Sequence, residues 1–203
     1  MTALEWEEVS LGKIHDRNAF HCGEDHLDTY LKRYARQNHE SGGAKCFVAA
    51  ARDAPTRVLG FYTLSPASIE FARAPAVATR GLGRYEVPVY RLGRLAVDRS
   101  VQGRGLGGRL LLRAAERCMA VAQQVGGVAL LIDAKTEMVA EWVRKLRGTT
   151  SPRCAALAHP ALRRGGRSGE ARGAMMLSNV TYARRMRPFF LIQVEVDYSE
   201  VLI

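Results

Sequence analysis

The most constraining feature of the sequence is the stretch from residue 91 to 117, RLGRLAVDRSVQGRGLGGRLLLRAAER. In it, an apolar run, a cluster of glycines and a helical repeat follow one another directly. Leu92, Leu95 and Val97 predict a largely buried strand that ends at Asp98. After the glycines, apolar side chains recur at helical spacing, at Leu110, Leu111, Ala114, Ala115 and Cys118. A strand, a turn and a helix in this order predict an α/β domain.

The glycine turn is typical of a phosphate-binding loop. Glycine leaves room where a backbone must approach a ligand, and the free N–H groups at a helix start attract a pyrophosphate. GRGLGG is not a Walker loop, because no GKS or GKT follows, and its third glycine falls one residue early for a dinucleotide fingerprint. A tight turn without a ligand is the alternative, and it is less favoured because four glycines at a helix start cost stability.

The length of the chain limits the number of domains, and the distribution of its charge limits the argument for RNA binding. With 203 residues, the chain is long enough for one α/β domain and its core. The net charge of +10 is uneven, because residues 1–142 hold 19 Lys/Arg against 16 Asp/Glu, whereas residues 143–187 hold 11 against 1. An argument from charge to RNA binding therefore depends on the second segment alone.

Two further features concern the compartment and metals. The sequence starts with no basic, apolar leader and contains no apolar run long enough to span a bilayer, so we expect a cytoplasmic protein with no membrane partner. Cys22, Cys46, Cys118 and Cys154 are far apart and form no CxxC pair. We expect them to be free thiols in a reducing compartment, and we favour this over a zinc site.

The rest of the chain predicts alternating strands and helices. The predicted strands are residues 4–11, 45–51, 58–65 and 128–134, and helices are predicted around residues 27–35 and over 135–146. Residues 66–87 show little periodicity, so a mobile loop is expected there. Such a loop is either a gate beside a cleft or an ordinary surface excursion.

Several motifs resemble one protein family. The pattern QxxGxG, here Gln102, Gly105 and Gly107 within RLAVDRSVQGRGLG, resembles the acyl-CoA loop of the GNAT acetyltransferases. Three further segments are similar to one branch of that superfamily, the toxins of toxin–antitoxin pairs: FHCGEDHLDTYLKRYARQ at residues 20–37, GFYTLSP at 60–66 and DAKTE at 133–137. The resemblance extends up to Trp142, and independent motifs agree.

The resemblance implies a fold and a site for acetyl-CoA. The fold would be the GNAT fold, an α/β fold with a mixed central sheet whose parallel strands 4 and 5 are splayed to admit the pantetheine. Leu95, Ala96 and Val97 would bind the pantetheine through their backbone, and the amide of Val97 would polarise the thioester carbonyl. The pyrophosphate would be held by Gln102, Gly103, Arg104, Gly105, Leu106, Gly107 and Gly108.

The resemblance also implies a reaction and its partners. The chain would transfer acetyl from acetyl-CoA to an amine, the α-amine of an aminoacyl-tRNA, and it would need no metal. A cognate antitoxin and a second copy of the chain would be further partners. Arg73, Arg80, Arg84 and Arg91 are candidate phosphate contacts, although a solvated surface is an equally good interpretation of these arginines.

The resemblance stops after Trp142. In the family, a Tyr follows this Trp in motifs such as WYxSYGA and protonates the leaving CoA thiolate. Here VRKLRG follows, and Val143 has no proton to give. A shift of reading frame is our hypothesis, because one DNA sequence that encodes VRKLRG also encodes YASYGA one base later. Arg, Gly, Ala and Pro crowd residues 147–174, as expected for GC-rich DNA read out of frame.

This departure from the family predicts that the chain consists of a folded domain followed by a separate tail. Residues 1–146 would form the acetyltransferase domain, incomplete at its C-terminal end. Residues 147–203 would form an aberrant basic tail that is largely disordered, with an edge strand over 189–196. Two alternatives stay open. One is a catalytically inactive acetyl-CoA-binding protein, and the other is an RNA-binding protein that acts through its basic tail.

Overall fold

A computed structural model describes residues 4–133, 154–158 and 189–194. The strands are β1 (Trp6–Ser10), β2 (Lys45–Ala51), β3 (Val58–Ile69), β4 (Val87–Val97), β5 (Ala129–Asp133), β6 (Cys154–Ala158) and β7 (Phe189–Val194). The helices are α1 (Asp25–Thr29), α2 (Ala35–Ser41), α3 (Ala76–Thr79) and α4 (Leu106–Val125). A π-helical segment (Tyr30–Tyr34) joins α1 to α2, and a 3-10 turn (Arg99–Val101) follows β4.

The described strands form one mixed sheet with the order β1-β2-β3-β4-β5-β7-β6. The pairs β1–β2, β2–β3 and β3–β4 are antiparallel, as their short connections require. The pair β4–β5 is parallel, because α4 carries the chain back across the sheet between these strands. The mixed α/β sheet with parallel strands 4 and 5 is therefore confirmed.

The segment after residue 147 contributes two strands to this sheet. β7 pairs in parallel with β5, from Ala129 opposite Phe190 to Asp133 opposite Val194, and β6 lies on the outer side of β7. The strand expected at 189–196 is therefore present over 189–194, but inside the sheet rather than at its edge. No strand was predicted at β6, the remaining residues of the tail lie outside the described ranges, and the division of the chain at residue 146 stays a prediction.

Helix α4 covers one face of the sheet. Its buried residues are Leu106, Leu110, Leu111, Ala114, Ala115 and Cys118, which recur at the spacing of three and four that places them on one side of a helix. They pack against Tyr62 of β3 and Leu130 of β5. A Cβ on Gly60 would lie 2.9 Å from Leu110 Cδ1, so glycine lets the helix approach β3 closely.

The segment from α1 to α2 covers the opposite face. Phe20, Tyr30 and Leu31 form a buried cluster with Phe61 of β3, whose ring meets that of Phe20 edge-on at 5.5 Å. Phe61 and Tyr62 belong to opposite faces because side chains alternate along a strand. The two faces of β3 therefore divide the domain into two apolar layers.

The region expected to be a mobile loop at 66–87 is partly regular. β3 continues to Ile69, which pairs with Val87 of β4, and α3 lies between the two strands. Ala78, Val87 and Val128 belong to a third buried cluster here. A gate is therefore not supported at the paired residues, since strand pairing and a core fix them.

Candidate active site

The candidate site begins where β4 and β5 separate. The two strands pair only from Tyr90 to Leu92, opposite residues 130–132. β4 then continues along β3 to Val97, and no described strand lies on its other side. A β-bulge marks the separation, because Thr63 pairs with Arg94 and Leu64 pairs with Leu92, which leaves Gly93 as the extra residue. Among the described residues, the side of β4 beyond Leu92 that faces away from β3 is therefore unpaired, and we call this open side of β4 the gap.

The backbone of β4 presents hydrogen-bond donors to this gap. The Asp98 amide donates to the Leu59 carbonyl of β3 at 2.9 Å. Because successive amides of a strand point in opposite directions, the amides of Leu95 and Val97 point away from β3 and towards the gap. Two amides in line along an open strand can bind the amide and carbonyl oxygens of an extended pantetheine, as expected for these residues.

The glycine loop follows at the end of β4. Gly103 and Gly105 have positive φ angles of 73° and 77°, a conformation that L residues with side chains rarely adopt. A Cβ on either would meet nothing within 4 Å, so the space in front of the loop is open. Gly105 caps α4 and offers no side-chain hydrogen bond, which leaves the first amides of a 20-residue helix without a side-chain partner. These features suit a pyrophosphate.

Gln102 fixes this loop in place. Its Nε2 donates to the Val97 carbonyl at 2.9 Å and to the Cys22 carbonyl at 2.8 Å. One side chain therefore joins the end of β4, the glycine loop and a segment that lies 80 residues earlier in the chain. These two hydrogen bonds give Gln102 a structural role as a clamp, and the ligand role that the sequence predicts for it stays a prediction.

The segment around Cys22 is itself tied to the same loop. Asp98 Oδ2 accepts from the His21 amide at 2.9 Å, and the Arg99 amide donates to the His21 carbonyl at 2.9 Å. A Cβ on Gly23, whose φ is +97°, would lie 2.6 Å from Arg99 Nε. The FxCG motif thus supports the glycine loop, a role that sequence reasoning missed although the spacing of the motif was visible.

Asp28 holds this segment in place through hydrogen bonds to Cys22 and His21. It is a buried carboxylate that accepts from the Cys22 amide at 2.8 Å and lies 2.5 Å from His21 Nδ1. Burial works to raise the pKa of Asp28, but hydrogen bonds from Cys22 and His21 outweigh it and the pKa is lowered. The carboxylate is therefore ionised at neutral pH and keeps both partners in place.

The same balance applies to Asp98, at the end of β4. Burial works to raise the pKa of Asp98, and hydrogen bonds from Ser100 and the His21 amide outweigh it, so the pKa is lowered.

The described cysteines behave differently from these carboxylates, because burial raises the pKa of Cys22 to about 11 and that of Cys46 and Cys118 to about 12. These thiols are protonated at neutral pH, and they are free, as expected.

The other predicted residues occupy more peripheral positions. Arg104 is exposed in the glycine loop, and the Arg109 guanidinium donates to the Arg104 carbonyl at 3.4 Å. Arg73, Arg80 and Arg84 are exposed in the connection between β3 and β4, and Arg91 is exposed on β4. Trp142 and Val143 lie outside the described residues.

The described residues offer neither a metal site nor a membrane-spanning helix. No group of three or more His, Cys, Asp or Glu side chains in them could hold a metal ion. None of the described helices combines the length and the apolar character needed to cross a membrane.

The fold and this site define a class of protein. Residues 9–136 match the model of the acetyltransferase (GNAT) family, and the chain belongs to that family. It is 46% identical over 119 residues to a tRNA-acetylating toxin of Mycobacterium tuberculosis (strain ATCC 25618 / H37Rv), a match that covers 59% of this chain and 69% of the relative. It is 31% identical over 120 residues to a probable toxin TacT of Sinorhizobium fredii (strain NBRC 101917 / NGR234), covering 59% and 66%.

Solved structures agree with these relatives. The chain is similar to AtaT complexed with acetyl-methionyl-tRNAfMet, with a TM-score of 0.66 and 26% identity over 70% of this chain and 85% of AtaT. It is equally similar to a mutant of KacT, with a TM-score of 0.66 and 28% identity over 70% and 85%. A further match is AtaTR bound with AcCoA, with a TM-score of 0.61 and 26% identity over 70% and 84%. The predicted family and fold are confirmed.

Proposed function

We propose that this chain transfers acetyl from acetyl-CoA to the α-amine of an aminoacyl-tRNA, as the toxin of a toxin–antitoxin pair. The observation that carries the proposal is the gap beside β4 at Gly93, which leads directly to the glycine loop clamped by Gln102. The relatives add the acceptor, because one is named a tRNA-acetylating toxin and AtaT is bound to acetyl-methionyl-tRNAfMet.

In this proposal the chain binds acetyl-CoA with its backbone. The amides of Leu95 and Val97 hold the pantetheine and thioester oxygens along β4, and the amide of Val97 polarises the thioester carbonyl. The Gly105 turn and the first amides of α4 hold the pyrophosphate, with Arg104 and Arg109 nearby. Gln102, which is predicted to help hold the pyrophosphate, also keeps the strand end and the loop at a fixed spacing.

The transfer itself needs three events. A neutral amine attacks the thioester carbon, so that an N–C bond forms and the C–S bond breaks. The amine nitrogen loses a proton to water, and the CoA thiolate gains one. The described residues supply the amide donors for the carbonyl, but the residue after Trp142, where the family places its acid, is Val143.

The proposal can be tested by restoring the Tyr that the family places after Trp142 and that this chain lacks. We expect the chain as written to bind acetyl-CoA and to acetylate charged tRNA slowly. Replacing VRKLRG at 143–148 with YASYGA should raise the rate about a hundredfold to ten-thousandfold, the usual contribution of a general acid. The assay is incorporation of labelled acetyl from acetyl-CoA into charged tRNA, with uncharged tRNA as the control.

The outcomes separate the alternatives. Acetyl-CoA binding with no transfer by either version would favour a catalytically inactive acetyl-CoA-binding protein. Equal rates for both versions would contradict the assignment of the acid and would leave Tyr182 as the Tyr of the basic segment to test. Deleting residues 147–203 is a poor test of RNA binding, because it removes β7 from β5. Substituting the basic residues of the tail that lie outside β6 and β7 is the cleaner test.

The proposal that an aminoacyl-tRNA is the acceptor has three further consequences. Arg73, Arg80, Arg84 and Arg91 contact tRNA phosphates, and removing one of them should lower the salt dependence of binding by about one counterion. A cognate antitoxin binds the toxin, as the antitoxin AtaR binds AtaT. The reaction takes place in the cytoplasm, where charged tRNA and acetyl-CoA are found together.

A further inference from the structure

One arginine of β4 has no role in the site described above. Among the described residues, β4 has no partner strand on its outer side over residues 93–97, GRLAV, and Arg94 is the single charged residue of this stretch. The Arg94 side chain is half-buried, and none of the ion pairs between described residues involves it. A charge that is partly withdrawn from water is costly unless a partner compensates for it. Arg94 is therefore a candidate contact for an anionic ligand.

Arg94 lies on the face of β4 that α4 does not cover. The side chains of Leu95 and Val97 pack against the cluster that contains α4. Because side chains alternate along a strand, Arg94 and Ala96 belong to the opposite face, where Ala96 joins the cluster of the segment from α1 to α2. An acceptor that reaches the gap from this face meets the charge of Arg94.

The Arg94 guanidinium is held in position while its hydrogen-bond donors stay available. Its Cζ lies 3.7 Å from the centre of the Tyr30 ring. This ring is 4% exposed and stacks on Phe61 at 6.3 Å, and its hydroxyl accepts from Asn38 Nδ2 at 3.3 Å. Tyr30 also begins the π-helical segment, an irregularity that is often found at functional sites. Stacking uses the flat face of a guanidinium and leaves the N–H groups at its edge free to donate.

Charge and spacing together indicate what this group binds. The planar fork of arginine N–H groups matches the oxygens of a phosphate. Arg94 and Val97 are three residues apart, which is about 10 Å along an extended strand. In an aminoacyl nucleotide, about eight bonds join the α-amine to the 5′-phosphate of the same nucleotide, and they span about 7 to 10 Å. An amine at a thioester held by Val97 would thus place its own phosphate near Arg94.

We propose that Arg94 binds the 5′-phosphate of the terminal, aminoacylated nucleotide and so positions its α-amine at the thioester. This inference rests on the proposed function and names the part of the acceptor that the site recognises. The CoA pyrophosphate does not compete, because its proposed site is the glycine loop beyond the other end of residues 93–97. The chain should therefore prefer an amine that carries a phosphate at this distance over the same amine without one.

Two probes isolate this phosphate contact without turnover. Both are 3′-glycylamido-3′-deoxyadenosine, whose amide resists hydrolysis and whose glycyl group has no side chain to clash. One has a free 5′-hydroxyl, and the other has a 5′-methyl phosphate, which carries the single negative charge of a tRNA diester. Calorimetry on the full chain saturated with CoA, which has no acetyl to transfer, gives the ratio of their dissociation constants.

Three substitutions locate the contact. Arg94→Met removes the charge at similar length, and Arg94→Lys keeps the charge without the fork. Arg113→Met is the matched control, because it removes one exposed arginine charge from α4, on the other face of the sheet. It therefore reports any general attraction of the phosphate by the net charge of the chain.

We expect the wild-type chain to bind the phosphate probe at least about tenfold more tightly, as for one hydrogen bond to a charged group. Arg113→Met should keep this ratio, Arg94→Lys should lower it, and Arg94→Met should bring it near one. Equal binding of the two probes by the wild type, or an unchanged ratio in Arg94→Met, would overturn the inference. So would an equal loss of both probes in Arg94→Met, since Arg94 would then only brace Tyr30. If Arg94→Met does not fold, the wild-type ratio and Arg94→Lys decide.

The proposed function can fail separately from this inference. If the repaired chain acetylates no charged tRNA while the ratio falls in Arg94→Met, the acceptor is another amine that carries a phosphate, and Arg94 keeps its role. If charged tRNA is acetylated while the wild-type chain binds the two probes equally, or binds neither, the proposed function stands and the inference is wrong.

Discussion

Comparing Gly105→Ala with a control substitution distinguishes two effects of a Cβ in the glycine loop. One is a loss of folding stability through backbone strain, and the other is a loss of affinity for acetyl-CoA. Gly105 adopts a left-handed conformation with φ 77° and ψ 6°, and a Cβ there would meet nothing within 4 Å. Gly42, at the end of α2, has φ 83° and ψ 2° and the same open space. It is not among the residues proposed to bind acetyl-CoA, so Gly42→Ala is a matched control for backbone strain.

The two substitutions should cost similar stability. Placing a Cβ in the left-handed region costs about 1 to 2 kcal/mol, which lowers the melting temperature of a chain of this length by about 2 to 8 °C. Only the Cβ at Gly105 would stand in front of the start of α4. There it should displace at least one amide contact to the pyrophosphate, and a hydrogen bond to a charged group contributes about 1.5 to 3 kcal/mol.

The assay is thermal unfolding with and without acetyl-CoA. At a concentration of 100 times its Kd, a ligand stabilises the native state by about 2.7 kcal/mol, and a tenfold loss of affinity reduces this to about 1.4 kcal/mol. Gly42→Ala should keep the full ligand-induced shift, whereas Gly105→Ala should lose at least about half of it, because the loss of one such hydrogen bond weakens binding about tenfold or more. Gly105→Glu adds a like charge and should abolish the shift. Equal shifts in Gly105→Ala and Gly42→Ala would refute this loop as the phosphate site.

Two further substitutions test the support of the loop. Gln102→Met removes the two hydrogen bonds of Nε2 and should destabilise the chain by about 1 to 2 kcal/mol and weaken acetyl-CoA binding, whereas Gln123→Met, on the exposed side of α4, should do neither. Equal behaviour of the two variants would argue against the clamp. Asp28→Asn should destabilise the chain near pH 7. Because the pKa of Asp28 is lowered in the folded chain, that difference should shrink as the pH falls below about 4 and should be measurable by urea unfolding. A difference that does not vary with pH would contradict the ionised Asp28.

The central unit of the fold was predictable because its determinants are local. The alternation of apolar residues before Asp98, the glycines and the helical repeat after them all lie within 27 consecutive residues, and the structure places β4, the loop and α4 there. Local spacing also predicted β2 and most of β3. In each case one short window contains both the element and the reason for its end.

The features that complete the site are not local. The Gln102 clamp depends on a carbonyl 80 residues away, and the bulge at Gly93 depends on which residue of β3 pairs with Arg94. Pairing across strands also explains why residues 66–69 were mistaken for a loop. Pro66, Ala67 and Ser68 have weak strand propensity, and their strand is fixed by partners on β4. A pattern within one segment carries no information about such partners.

The structure also explains why binding and transfer can be separated in this chain. The donors proposed for acetyl-CoA, the clamp of Gln102 and its support by Asp28 all lie between residues 20 and 108, before the departure that follows Trp142. The acid expected by the family lies after it. Under the proposed function, the departure at residue 143 would remove the proton donor and would leave the residues proposed for acetyl-CoA binding in place. This is why the repaired chain should differ from the chain as written in its rate, and much less in its affinity for acetyl-CoA.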